Sequence, residues 1–428
     1  MVSLFFYTTL LYSLVISFYL NKKMGRVTLV FLFTCISILF INIGFYSLYL
    51  EQKHISEAYI PVLVSSIGLL IVNIAYLLVF FLKKSKKTML YSPQLKKDSY
   101  SSIVLISMIV YFFVSLYFVL LGYVPLFKAI KDMLTYGFQT GTLNSYRVSR
   151  NIYINPDAAY IPLQGFFQTL RYFGLPVCIS LNLFYVKEYK VAKLMVVIAL
   201  FLLIISGQRW PLMYALMGLV IYFSYLKIDK KKLNLTLRKI IIITVSLGIF
   251  TSVLLGRNTV EGETLMTNIW MGVIDLYNRI FLGNALVPFL SYTIFPSEVS
   301  YYYGWTWIQN LLAYLPGPFP SFPVTFYQLV FKDDTGFTAP PDFYTEAYIN
   351  FSWLGVMVIS FLWGTFIYFI ETLFSKAKTV YHYSYLVLLG ILISFTSFSG
   401  MTFLIGGVII IIFIEIIRYT SVFIMKKT

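Results

Sequence analysis

The chain has almost no metal-binding or redox chemistry available to it. Its 428 residues include two cysteines and two histidines. Cys35 and Cys178 both fall inside long apolar runs, which excludes a disulfide framework and a thiolate metal site. His54 and His382 are too few for a zinc or iron centre, and no metal or other cofactor is expected. Charge is scarce as well, at 12% of residues, about half the roughly 25% usual in soluble domains. What fills the space is apolar: 59% hydrophobic residues, 19% aromatics and a mean hydropathy of +0.81. No water-soluble fold can hide that much apolar surface, so lipid must be part of the solvent. The first run, Ser3 to Leu20, has neither a basic leader nor a small-residue cleavage site, and reads as a retained span.

A hydrocarbon core takes about 20 residues per helical pass. Apolar segments near 3–20, 27–50, 58–82, 100–124, 163–184, 191–206, 210–226, 240–256, 349–371, 384–399 and 402–424 predict an all-α polytopic membrane protein. Residues 1–428 would form a single integral domain of about eleven transmembrane helices. Every second connection is basic, and these connections hold 23 of the 33 lysines and arginines. The net charge of +16 is therefore an orientation signal rather than a nucleic-acid footprint. It predicts an amino terminus outside and a carboxyl terminus inside.

Two long loops then lie on the outer side, at about 125–163 and 257–349. Long connections of this kind are usually functional. Within the second, Trp270 to Phe295 is apolar and predicts a helix or hairpin lying in the outer interface, with Asp275 and Arg279 paired one turn apart. Six of the nine arginines, but only four of the 24 lysines, fall on this side. Arginine's planar fork suits bidentate contact with phosphate or carboxylate.

Arg209, in Ser206-Gly207-Gln208-Arg209-Trp210-Pro211, stands at a tight turn between two short passes. Such a charge is costly and marks a functional site, the plainer reading being an arginine that snorkels to headgroups. Arg257 opens the large loop, with Glu261 and Glu263 near enough for a local ion pair. Arg171 sits two turns into its span, which favours a lined cavity. Arg147 and Arg150 occupy the first long loop, where solvated charge is the plainer reading. Pro340-Pro341 marks a helix start, after which Asp342, Glu346 and Asn350 recur every four residues on one face, interleaved with Tyr344 and Tyr348. The helix dipole accounts for Asp342 but not for Glu346, a turn further in. A buried carboxylate near arginines could act as a general base on a hydroxyl. Tyr301 to Trp307 is dense in aromatics, as in a membrane's aromatic belt or a surface that stacks on sugars.

The layout of spans, with a large outer loop late in the chain, resembles the bacterial O-antigen and capsular oligosaccharide repeat-unit polymerases. So do Ser-Gly-Gln-Arg209, Gly256-Arg257, and the stretch from Glu346 to Gly355 where the loop re-enters the membrane. The resemblance covers most of the chain in architecture but only three short stretches in residues. It implies a glycosyltransferase of the bacterial cytoplasmic membrane, working on its outer side without a cofactor. Its substrate would be a polyprenyl-diphosphate-linked oligosaccharide, and its partners a flippase and a chain-length regulator. Arg209 and Arg257 would stabilise the departing diphosphate, with Arg171, Arg147, Arg150, Asp342, Tyr344, Tyr348 and Asn350 binding substrate and Glu346 as the base. The rival readings are an O-antigen ligase and a flippase or transporter for lipid-linked oligosaccharides.

Overall fold

The computed structural model describes residues 1–53, 55, 57–83, 95–96, 98–136, 164–206, 209–226, 266–267, 270–271, 274, 277–278, 281–314, 320–332 and 339–425. Among the described residues all regular structure is helical, without a strand, apart from one isolated bridge between Lys96 and Thr379. Six helices among the described residues are long and apolar enough to cross a membrane: α1 (Val2–Met24), α2 (Leu29–Glu51), α3 (Ile60–Leu82), α4 (Tyr100–Leu121), and two named below. The chain is a multi-pass membrane protein on this ground. Between α4 and the late spans come α5 (Pro125–Tyr136), α6 (the contiguous pieces Gln164–Thr169, Leu170–Gly174 and Leu175–Leu183), α7 (Lys190–Ile205) and α8 (Arg209–Tyr225). Three short helices follow, α9 (Leu286–Ser291), α10 (Trp305–Leu312) and α11 (Phe322–Phe331). The remaining long helices are α12 (Phe343–Lys376), α13 (Val380–Ser399) and α14 (Thr402–Met425); α12 and α13 complete the six.

Helices occupy all the expected segments except 240–256, which lies outside the described residues. Among the described residues, length and hydropathy pick out these six of the eleven crossings expected; α7, at 16 residues, and α8, at 17, are shorter than the six. The chain divides into two compact units, each discontinuous in sequence. The first comprises Met1–Pro93, Tyr277–Lys376 and Leu389–Ile405; the second comprises Gln94–Leu276, Ala377–Leu388 and Gly406–Thr428.

The first unit is built on the crossing of α3 and α12. Glycine makes the close approach possible. A Cβ at Gly364 would collide with the Val72 carbonyl, and one at Gly68 with the Tyr344 ring. Small residues at helix crossings are the usual means of tight packing where lipid supplies no hydrophobic drive between helices. Gly364→Leu should therefore lower the stability of the protein by about 1–3 kcal/mol or more through overpacking. Gly165→Ala, whose Cβ would meet nothing within 4 Å, should be neutral. Thermal unfolding in detergent compares the two directly.

The described later part of Trp270 to Phe295 packs against protein. Ala285, Phe289, Tyr292 and Phe295 are buried, and Phe289 and Tyr292 pack on Phe45 of α2 with centroids 6.2 and 6.3 Å apart. Gly44 lets this segment close on α2, since a Cβ there would strike the Phe281 carbonyl. The Asp275–Arg279 pair lies outside the described residues.

In the second unit, Asp98 caps the start of α13 by accepting from Val380 N at 2.9 Å. Lys96 N donates to the Lys378 carbonyl at 2.8 Å. Tyr383 hydroxyl donates to the Tyr222 carbonyl at 2.6 Å, tying α8 to α13.

Candidate functional site

α12 is two helices. Helical geometry fails at Phe351 (φ −141°, ψ 21°) and Ser352 (φ 59°, ψ −155°), so an eight-residue segment, 343–350, precedes the apolar span that runs on to Lys376. A positive φ at serine is costly and persists only where the surroundings enforce it. Gly355 is part of that enforcement, because any side chain there would strike the Ala347 carbonyl and Phe351 Cβ. The expected segment 349–371 thus straddles a break that no proline or glycine at 351 or 352 announces.

The short segment carries the predicted stripe, and all of it is buried. Asp342 caps the helix: its Oδ1 accepts from Tyr344 N at 2.9 Å and Thr345 N at 3.2 Å, and its Oδ2 accepts from the Thr345 hydroxyl. These are the amides a helix start leaves unpaired. Glu346, 1% exposed, receives Met401 N on Oε2 at 2.6 Å and the Thr306 hydroxyl on Oε1 at 3.3 Å. The Trp307 indole, half-buried, lies beside the same carboxylate. Asn350 donates to Thr306 Oγ1 and to the Glu346 carbonyl, both at 2.8 Å, and accepts from Gly304 N at 2.8 Å.

The far end of the segment is closed from α10's approach. Tyr302 N donates to the Ile349 carbonyl at 2.9 Å and Tyr303 N to the Asn350 carbonyl at 3.0 Å. Carbonyls freed by the break are thereby satisfied inside an apolar bundle, where leaving them bare would cost several kcal/mol. The aromatic run Tyr301 to Trp307 is thus a backbone clamp, whatever its rings also contact. On the other side, Gly400 turns α13 into α14 at φ 60°, and a Cβ there would collide with Glu346 Oε2 and meet the Pro341 carbonyl at 2.9 Å. The turn fits against the carboxylate only as glycine.

Comparison with protein-family models, curated proteins and solved structures finds no match to this chain. The site is therefore read from its own chemistry.

The two tyrosines of the stripe face inward. The Tyr344 hydroxyl meets Ser37 Oγ at 2.8 Å, and Tyr348, 4% exposed, stacks near Tyr292 and Tyr301 with centroids 4.9 and 6.0 Å away. Ser37 donates to Asn42 of the π-helical turn Ile38–Asn42, which interrupts α2. The second unit has a matching interruption. Arg171 lies in the π-helical turn Leu170–Gly174 of α6 and is 2% exposed. Its guanidinium carbon sits 5.5 Å from the ring centroids of Tyr117 and Tyr172. π turns in helices often mark functional positions, and aromatic faces stabilise a desolvated cation.

Arg209 begins α8, although its side chain is outside the description; Arg147, Arg150 and Arg257 lie outside the described residues altogether. Among the described residues, no group of three or more His, Cys, Asp or Glu is placed to hold a metal ion.

Sequence reasoning missed one buried charged pair. Glu371, near the end of α12, is fully buried; it accepts from the Tyr76 hydroxyl at 2.8 Å and Leu29 N at 3.3 Å, and Arg26 Nε lies 3.6 Å from its other oxygen. Arg26 looked like one more orientation charge. Only its position, three residues beyond Lys22-Lys23 yet flush against an apolar start at Val27, hinted otherwise.

Proposed function

We propose that this chain polymerises polyprenyl-diphosphate-linked oligosaccharide repeat units on the outer side of the bacterial cytoplasmic membrane. It would span the membrane about eleven times, with its amino terminus outside. The observation that supports this reading best is the buried Glu346–Thr306–Asn350 cluster at a helix broken at the start of an apolar span. In the reaction, the hydroxyl of an incoming lipid-linked unit attacks the anomeric carbon of the growing chain. The bond from that carbon to the diphosphate oxygen breaks, and the hydroxyl proton passes to Glu346. Both Glu346 oxygens already accept hydrogen bonds. The acceptor hydroxyl therefore takes the place of Thr306 at Oε1, the longer and weaker of the two. Arg171, Arg209 and Arg257 would bind the departing diphosphate, where preplaced positive charge in a poorly hydrated site lowers the barrier most.

A second reading rests on a different pair of observations. Discontinuous helices and buried charge pairs are also common in transporters, so the break in α12 and the Arg26–Glu371 pair favour a flippase for lipid-linked oligosaccharides. Purified protein in phospholipid vesicles, supplied with polyprenyl-diphosphate-linked repeat units, separates the two. Polymerisation yields a ladder of products one repeat apart and releases polyprenyl diphosphate. Transbilayer movement of the lipid-linked unit with no ladder would replace the first reading with the second.

A further inference from the structure

From Val299 to Phe331 the chain carries no charged residue. That stretch is bracketed by Glu298 and Lys332, whose side chains, 58% and 78% exposed, pair at 3.6 Å. It contains α10 and α11, which pack on each other. α10 has two distinct faces. Thr306 and Asn310 point inward: Thr306 to Glu346, and Asn310 to Phe322 N at 3.0 Å. Trp305, Ile308, Leu311 and Tyr314 recur every three residues on the other side, 50%, 49%, 56% and 37% exposed. A contiguous apolar face with no charge near it needs a cover.

The structure indicates what covers it. Trp307 of α10 packs on Phe351, where the apolar half of α12 begins, with centroids 5.9 Å apart. That half is itself exposed along Leu354, Met357, Phe361 and Leu362, a face that lipid must cover if α12 spans the membrane. We propose that α10 is a monotopic anchor. In this arrangement Trp305, Ile308 and Leu311 enter the acyl region of the leaflet beside α12, and the Glu298–Lys332 pair stays in water. The occupant is lipid acyl chain rather than a protein. An uncharged face flanked by Tyr303, Trp305 and Tyr314 has the aromatic-edged composition of an interfacial helix. At the stem the opposite charges of Glu298 and Lys332 neutralise each other. Because Thr306 hydrogen-bonds Glu346 and Asn350, anchoring α10 would also set the depth of the candidate site, near the headgroups. This inference does not depend on which lipid-linked molecule the protein handles.

The test is nitroxide scanning of the full chain in phosphatidylethanolamine–phosphatidylglycerol vesicles. Single labels go at Ile308→Cys, Leu311→Cys and Lys332→Cys, with Leu354→Cys as the lipid reference, in a Cys35→Ser, Cys178→Ser background. All four sites are exposed, so labelling leaves the packing intact. Collision with oxygen over a water-soluble nickel chelate should be severalfold higher at 308 and 311 than at 332, and should match 354. Equal nickel access at 308, 311 and 332 would overturn the proposal. So would dipolar broadening between labels at 308, which would make the cover a second copy of the chain. A label-free measurement backs this up: brominated lipid should quench tryptophan fluorescence less in Trp305→Phe than in the parent protein, and no difference would count against the anchor.

Discussion

Glu346→Gln should abolish polymer formation while leaving the protein in the membrane at normal abundance. General-base catalysis contributes on the order of 10²–10⁴-fold, and the amide cannot take up the proton. The same substitution keeps the local packing. The glutamine carbonyl can still accept from Met401 N and its NH₂ can donate to Thr306 Oγ1, so the only change in partners is that the Thr306 hydroxyl hydrogen must turn from residue 346 to another acceptor. Glu346→Ala is different. It leaves the Met401 amide and the Thr306 hydroxyl without an acceptor, at about 1–3 kcal/mol for each unsatisfied group, and should reduce accumulation as well as activity. Thr306→Val completes the set. The acceptor hydroxyl displaces the threonine in the proposed reaction, so most of the rate should survive that change. Product ladders from equal amounts of purified protein measure all three. A glutamine variant that polymerises at the parent rate would reduce Glu346 to a packing residue.

The second large effect lies at Arg26. Arg26→Met should destabilise the protein by about 3–5 kcal/mol, because it takes the Arg26 guanidinium away from the fully buried carboxylate of Glu371. Adding Glu371→Gln to that variant should restore much of the loss. Glutamine is neutral, and its oxygen still serves the Tyr76 hydroxyl and Leu29 N. Detergent thermal melts of the parent, the two singles and the double variant give the coupling between the residues. Equal, additive losses would show that the pair, for all its burial, does not act as one unit.

The two effects mark where sequence reading succeeds and where it stops. The apolar runs placed the helices within a few residues, because a membrane span leaves a long and simple signature. The Asp342–Glu346–Asn350 stripe was visible from i, i+4 spacing and the preceding prolines, and those side chains do share a buried face. Their partners were not visible. Glu346 is held by residues 40 and 55 positions away, and Arg26 meets a carboxylate in the far third of the chain. Local pattern carries no information about such pairings. The break in α12 was hidden for another reason. Phe351 and Ser352 fit a helix, and the failure there comes from what packs around them, Gly355 above all. Trp270 to Phe295 shows a further limit: apolar surface reads alike in sequence whether lipid or protein covers it, and the Gly44 notch on α2 is what reveals the protein contact of its later part.

The backbone bonds from Tyr302 and Tyr303 to the end of the short helix bear on how this protein can be cut or grafted. A segment lying outside every long span invites removal, replacement by a linker, or insertion of a tag. Here such surgery would strip donors from two carbonyls in an oily interior and unseat the residue that holds the key carboxylate. A truncated version would fail first as a folded membrane helix. Tags and crosslinkers belong instead at the Glu298–Lys332 stem, where both side chains are exposed.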